Sequence, residues 1–381
     1  MQSGHEAGVS RAMKDRIKAK AAVIYEKNGA FSIEPVTLSP VKPDELLVKI
    51  HAAGVCRTDE GVRVGKTALR MPVVLGHEGA GTVEEAGCMA AGFKKGDRVV
   101  LSYGTCGCCP GCVSGRPYAC RDMVRINFGG RSADGEYVLE NGRGEPLSSF
   151  FAQSSFATYA VVKASSAVKI EDTDVPFELL APMGCGIQTG AGTVLEQLRP
   201  EFGSSLAVFG CGTVGMSAIM AARICGCRQI VAVGGNDASL ALAKELGATD
   251  VINRKTVPDL KAAVQQVTGG GADCAVETSG VPQMVRDALL STTYTGKIAF
   301  CGNCDVTINV GSEMANRTAY GVSEGNAVPA IFIPKLISFY KKGLFPIDRL
   351  ISVYPFEELN TAFDETFHGK AIKAVLKMKE D

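Results

Sequence analysis

SLAVFGCGTVGMSAIMAARIC, residues 205–225, decides the fold of this chain. Ser205–Phe209 is an almost wholly apolar run of strand length, as expected of a parallel strand covered on both faces. Met216–Cys225 is rich in Ala and Met, which favour helix. Between them Gly210, Gly212 and Gly215 form a G-x-G-x-x-G turn. Glycines at that spacing allow a tight turn, close approach of the backbone to a pyrophosphate, and packing of helix on strand. Reading downstream, Gln229–Val233 is a strand, Ala238–Leu246 a helix stopped by Gly247, and Asp250–Ile252 a strand. A helix at Leu260–Val267 and strands at Cys274–Glu277 and Lys297–Cys301 follow. Strands alternating with helices predict a doubly wound parallel sheet with right-handed crossovers.

Upstream the pattern changes. Glu45–Ala53 alternates and ends at Gly54, Val73–Leu75 is a short apolar run, and Asp97–Leu101 follows a Lys-Lys-Gly turn. Short strands and turns predict a mostly-β unit. After Gly325 come a helix at Ile331–Lys341 and a strand near Ala371–Lys377, expected to return to that unit. The domains are therefore expected at 21–186 with 325–381 (mostly β, catalytic) and at 187–324 (a Rossmann cofactor-binding domain). Residues 1–20 are polar and mildly basic and are expected to form a flexible extension.

Formal charge is zero, from 40 basic and 40 acidic side chains, which gives no attraction to nucleic acid or an anionic membrane. No apolar stretch approaches the roughly 20 residues of a membrane span. The N-terminus lacks an apolar signal region, so a cytoplasmic protein is expected. The chain carries 14 cysteines, an even number, but it is too long and too apolar to need a disulfide scaffold. Four of them, Cys106, Cys109, Cys112 and Cys120, follow a C-x2-C-x2-C-x7-C spacing in a Gly- and Pro-rich loop. That spacing lets four thiolates converge on one structural zinc. Chemistry would then need a second, open zinc site, for which Cys56, His77 and Cys185 supply two sulfurs and one imidazole.

The acidic residue that binds the adenosine 2′-hydroxyl of NAD(H) should end the second parallel strand. Here that strand runs into Gly234, Gly235 and Asn236. Without a carboxylate, a 2′-phosphate has room and meets no like charge, which favours NADP(H). Arg254 and Lys255 are candidates to hold it. Asp237, reaching back to a ribose, keeps NAD(H) open.

Together these motifs resemble the zinc-dependent alcohol dehydrogenases of the medium-chain dehydrogenase/reductase superfamily. The residues carrying the likeness are Gly54-Val55-Cys56-Arg57-Thr58-Asp59, Gly76-His77-Glu78 with Gly81 and Gly87, the cysteine quartet, Gly184–Gly190 and the glycine loop. Within the superfamily, Phe151–Tyr159, Gly184–Gly192 and Phe332–Ile337 are most similar to the aryl-alcohol (benzyl-alcohol) dehydrogenases. The resemblance spans Ala21 to Met378 and implies an α/β protein, a Rossmann doubly wound parallel sheet plus a mostly-β GroES-like catalytic domain.

It implies roles as well. Cys56, His77 and Cys185 match the catalytic zinc ligands, and the metal would act as a Lewis acid on an alcohol. Thr58 matches the hydroxyl that accepts the alcohol proton. Asp59 matches the carboxylate that orients the ligand histidine, and Glu78 the acid beneath the metal that can become a transient ligand. Arg57 and Lys373 match a pyrophosphate clamp, and Thr189 and Val214 the flanks of the nicotinamide. Ser102 and Tyr103, with Phe150 and Phe151 opposite, correspond to the substrate pocket, and the phenylalanines suit an aromatic or terpenoid alcohol. The expected activity is interconversion of such a primary alcohol and its aldehyde, with two zinc ions per chain, in a homodimer or homotetramer. In some relatives a histidine five residues after the first zinc cysteine ends the proton relay; here that position is Gly61, a departure that the aryl-alcohol subgroup shares. His51 reads as a structural polar residue. A zinc polyol, threonine or glutathione–formaldehyde dehydrogenase is the alternative; a zinc-free quinone or enoyl reductase and a non-catalytic cofactor or redox sensor are further ones.

Overall fold

The computed structural model describes residues 16–379. Six parallel strands, Ser205–Phe209, Gln229–Gly234, Asp250–Asn253, Ala272–Glu277, Thr292–Phe300 and Thr318–Gly321, form one sheet. Numbered in chain order they lie 3-2-1-4-5-6, with every pairing parallel. This is the doubly wound order in which the carboxyl ends of the two central strands open onto a ligand crevice. The quoted stretch folds as read: a fully buried strand, the glycine turn, then a helix at Thr213–Ile224. Gly210 adopts a φ of 108°, and a Cβ on Gly215 would stand 1.8 Å from the Gly210 carbonyl, so the turn admits only glycine at both positions.

The second architecture is antiparallel except for one parallel pair, Ile351–Pro355 with Lys373–Lys377. Ala167–Ile170, Arg98–Leu101, Gly79–Ala86, Glu45–Gly54, Lys373–Lys377 and Ile351–Pro355 lie side by side, and Tyr159–Lys163 also pairs with Glu45–Gly54. The C-terminal strand returns as expected, bringing Val375 opposite Gly54. A further sheet contains Ile17–Ile24, Ser32–Leu38 and Leu139–Asn141.

Three features differ from the sequence expectation. The first expected extension includes residues 17–20, which belong to the strand Ile17–Ile24; residues 1–15 lie outside the described residues. Lys18 and Lys20 sit on one face of that strand while Ala21–Ile24 are fully buried, so a stretch that reads as a basic tail is a half-solvated edge. The helix Pro282–Leu290 and the strand Thr318–Gly321 are also additions. Finally, the helix Pro329–Lys341 buries Phe332, Ile333, Leu336 and Ile337 in the core that holds Leu206, Val208 and Met216. The same core takes in Val168, Ile170 and Val375 from the antiparallel sheet, so it is continuous across both architectures.

Candidate active site

The strand Glu45–Gly54 ends where the Lys373–Lys377 strand pairs with it, and the chain then turns into the helix Arg57–Arg63 with Cys56 as its N-cap. Cys56, His77, Glu78 and Cys185 converge there, with one ligand atom from each within 4.8 Å of all the others. His77 is fully buried, and its Nδ1 lies 3.0 Å from Asp59 Oδ1. Asp59 is itself fixed by the Gly76 amide, at 3.0 Å, and the Cys56 amide, at 3.2 Å. With Nδ1–H donated to that carboxylate, His77 Nε2 presents a lone pair, and this buried atom has no partner in the protein. A buried imidazole nitrogen without a partner, aimed among two thiols, fits a metal of borderline softness such as zinc. Contact with Cys185 holds the Cys56 thiol well below its ordinary range, and the same contact pushes Cys185 well above.

Glu78 and Lys373 form a buried pair. Lys373 Nζ lies 2.7 and 2.9 Å from the two Glu78 oxygens and 2.9 Å from the Val55 carbonyl. Burial pushes the Glu78 carboxyl up to about 7, against the pull of Lys373. A Cβ on Gly54 would stand 1.9 Å from Glu78 Oε2, which explains the glycine two residues before the first ligand. The expectation that Lys373 clamps a pyrophosphate is corrected here: the residue is 1% exposed, and the three donors of its ammonium are spent on Glu78 and Val55.

The glycine loop adjoins this cluster. A Cβ on Gly186, the residue after Cys185, would be 3.3 Å from the Thr213 methyl and 3.7 Å from Lys373 Nζ. Thr189 and Val214 are both half-buried, on the helices Gly186–Gly192 and Thr213–Ile224. Arg57 is exposed, with its guanidinium 5.7 Å from the Phe367 ring centroid. Thr58 Oγ1 lies 3.6 Å from Cys56 Sγ. At the second strand, the Arg254 amide donates to the Gly234 carbonyl at 2.8 Å. A Cβ on Gly235 would meet Arg254 Nε at 3.1 Å and Lys255 Cε at 3.4 Å, so both cations flank the glycine pair. Asn236 caps the following helix by accepting from the Ala238 and Ser239 amides, and Asp237 is occupied with Asn253 Nδ2 at 2.6 Å.

Ser102 is buried, donating to the Gly184 carbonyl at 2.7 Å and accepting from Gln188 Nε2 at 2.8 Å, and Phe150 is fully buried. The Phe150 ring stands edge-on to that of His77, with centroids 5.3 Å apart. Phe151 packs its ring 4.5 Å from that of His77, and half-buried Phe128, absent from the sequence expectation, stacks edge-on to Phe151 at 5.1 Å. Phe151, Ala152 and Ser154 have φ near 50°, a left-handed run that holds this aromatic wall in place. Tyr103 is buried and donates to the Ala327 carbonyl at 2.8 Å. His51 stacks on Phe177 and meets Thr82, in keeping with a structural role.

Sequence reasoning also missed Glu324. Its Oε1 is 3.6 Å from Cys185 Sγ, and Oε2 accepts from Gln188 Nε2 at 3.1 Å. Burial pushes this carboxyl up to about 7. Nothing in the sequence marks it: the residue stands 139 positions from Cys185 in a polar loop.

The quartet converges separately. Cys120 to Cys106, Cys109 to Cys112 and Cys106 to Cys112 are 3.5, 3.6 and 4.0 Å, far from disulfide contact and close to the ~3.8 Å of two sulfurs on one tetrahedral zinc. Amides of Cys106 and Arg121 point at Cys120 and Cys109, supporting thiolates. Replacing Cys109 with Ser is expected to free one zinc per chain and make residues 106–120 sensitive to limited proteolysis, measured by metal analysis and peptide mapping.

The Zinc-binding dehydrogenase family profile matches residues 213–339, and the Alcohol dehydrogenase GroES-like domain profile matches residues 42–172. A geraniol dehydrogenase from Castellaniella defragrans is 43% identical over 370 residues, covering 95% of this chain and 98% of that protein. The crystal structure of an alcohol dehydrogenase zinc-binding domain protein from Burkholderia ambifaria is 42% identical with a TM-score of 0.91, covering 96% of this chain and all of that one. That of benzyl alcohol dehydrogenase from Acinetobacter calcoaceticus is 39% identical with a TM-score of 0.90, covering 95% of this chain and 100% of the other.

Proposed function

The chain belongs to the zinc-dependent alcohol dehydrogenases of the medium-chain dehydrogenase/reductase superfamily, and from that premise we propose that it interconverts a primary aromatic, allylic or terpenoid alcohol and its aldehyde, with NADP(H) preferred over NAD(H). The observation that carries the reading is the unpartnered Nε2 of buried His77, held towards Cys56 and Cys185 by Asp59 on its other nitrogen.

Zinc on Cys56, His77 and Cys185 would supply a Lewis acid that makes an alcohol easier to deprotonate, and a nicotinamide dinucleotide the hydride acceptor. The protein's own residues do the rest. Thr58, beside Cys56, is placed to accept the alcohol proton. Asp59 fixes the imidazole tautomer. Gly210, Gly212 and Gly215 leave the backbone bare for a pyrophosphate, with Arg57 exposed nearby, and Thr189 and Val214 stand where a nicotinamide would lie against them. The aromatic wall of Phe128 and Phe151 beside His77 supports a flat or unsaturated substrate, as do the substrates named for the two relatives, geraniol and benzyl alcohol. The exposed edge strand Thr318–Gly321 supports a homodimer built by strand pairing, with a tetramer beyond it. A second zinc on the quartet completes the metal content. Among the described residues no helix is long and apolar enough to cross a membrane.

Arg254 and Lys255 beside Gly235 support NADP(H), because Arg and Lys are suited to a 2′-phosphate and Asp237 is engaged elsewhere. Removing Arg254 by Arg254→Ala is expected to raise the KM for NADP+ by about 10- to 100-fold, the loss of one charge-assisted hydrogen bond, with little change for NAD+. Gly235→Asp should act in the same direction by pairing with Arg254. Gly234→Asp is a poorer test, since its Cβ would meet buried Leu240 and Cys211 at 3.0 Å. The deciding experiment compares initial rates of benzyl alcohol and geraniol oxidation with each cofactor. Faster turnover with NADP+ is expected; preference for NAD+ would overturn the cofactor assignment, and no turnover of either alcohol the substrate class.

A further inference from the structure

Two carboxylates border the cluster of Cys56, His77 and Cys185, and they are held in different ways. Glu78 is neutralised by Lys373, and its Oε1 also accepts from the Gly186 amide at 3.1 Å. Glu324 has no cationic side chain within ion-pair reach among the described residues; its side-chain partners are the Gln188 amide and Cys185 Sγ. A cysteine that holds zinc is a thiolate and has no proton to donate. Cys185 and the Glu324 carboxylate at 3.6 Å are then two like charges in contact, which a shared cation would reconcile. The spacing agrees: a thiolate at about 2.3 Å and a carboxylate oxygen at about 2.1 Å from one tetrahedral zinc stand ~3.6 Å apart.

The backbone aims Glu324 at this place at some cost. Glu324, Gly325 and Asn326 have φ of 51°, 70° and 49°, a run of left-handed residues that is unfavourable for Glu. Tight packing enforces it. A Cβ on Gly325 would lie 2.5 Å from the Gln188 carbonyl and 2.9 Å from Gly192 Cα, so the loop sits directly on the helix that begins after Cys185. Asn326 Nδ2 donates to Gln197 Oε1 at 2.7 Å, and Tyr103 holds Ala327 from the other side.

Resting on the zinc dehydrogenase reading, we propose that Glu324 is an exchangeable ligand of the catalytic zinc: its carboxylate holds the fourth position when no alcohol is bound and yields it to the substrate oxygen. This moves the transient-ligand role away from Glu78, which would have to leave a buried lysine unpaired. Glu324 is tied to the protein by a single amide hydrogen bond and is the carboxylate free to exchange.

Glu324→Gln keeps the shape and the Gln188 contact and removes the charge. Zinc release to a chelator is followed from the holoenzyme, with the four-cysteine zinc as internal standard. Zinc held by Cys56, His77 and Cys185 is expected to leave the variant at least about 10-fold faster. The KM for alcohol should fall, with kcat changed only a few-fold, because no carboxylate has to be displaced. In Co2+-substituted protein the visible spectra of wild type and variant should differ without alcohol and coincide when alcohol saturates. Unchanged release rates and spectra would overturn the proposal. A wild-type protein that holds no metal on Cys56, His77 and Cys185 would instead overturn the zinc dehydrogenase reading. Glu324→Asp guards against poor folding of the first variant: Asp tolerates the left-handed backbone and keeps the charge one methylene short. It too should release zinc faster, and wild-type behaviour would count against the proposal.

Discussion

Cys56→Ala is expected to lower turnover by at least about 10³-fold, the loss of roughly 4 kcal/mol of transition-state stabilisation that a correctly held Lewis acid supplies. Cys56 does three things at once. Its sulfur stands in the cluster with His77 and Cys185, its amide donates to Asp59, and its side chain adjoins Thr58. Alanine keeps the amide, so Asp59 still orients His77, and the loss falls on the metal. Metal analysis should therefore show one zinc per chain remaining, on the quartet, with circular dichroism unchanged. A variant that keeps activity within tenfold of wild type would remove Cys56 from the catalytic set.

The second large effect is on stability. Lys373→Met is expected to cost about 3–5 kcal/mol in guanidinium unfolding of the metal-loaded protein, because it leaves the buried Glu78 carboxylate and the Val55 carbonyl without their donor. Methionine fills nearly the same space, so packing contributes little to the loss. The double variant Lys373→Met/Glu78→Gln should recover a large part of it, since an uncharged side chain no longer needs a counterion. A single variant within about 1 kcal/mol of wild type would mean that the pair is not coupled to folding.

How far the sequence could be read depended on whether the information was local. The parallel sheet was legible because each strand is a short apolar run punctuated by glycine, and Ser205–Phe209 appears with the boundaries read from it. The two sulfur-rich sites were legible because ligand chemistry restricts residue type as well as spacing. Lys373 was misassigned for a different reason. A lysine at the start of a strand looks the same whether it faces the cofactor cleft or turns inward to Glu78, 295 residues away in sequence. Glu324 carried no signal at all, since its value lies in a left-handed backbone and in a neighbour that only the folded chain brings near.

The continuous core has a practical consequence for engineering. Val168, Ile170 and Val375 share one apolar cluster with Leu206, Val208 and the helix Pro329–Lys341, and Thr213 in the glycine loop donates to the Ile372 carbonyl at 3.0 Å. A chimera that transplants the whole nucleotide half from a relative would cut through this cluster and leave mismatched surfaces on both sides of the seam. Coenzyme choice in this scaffold is better rewritten point by point at the rim, around Gly235 and Arg254, than exchanged as a cassette.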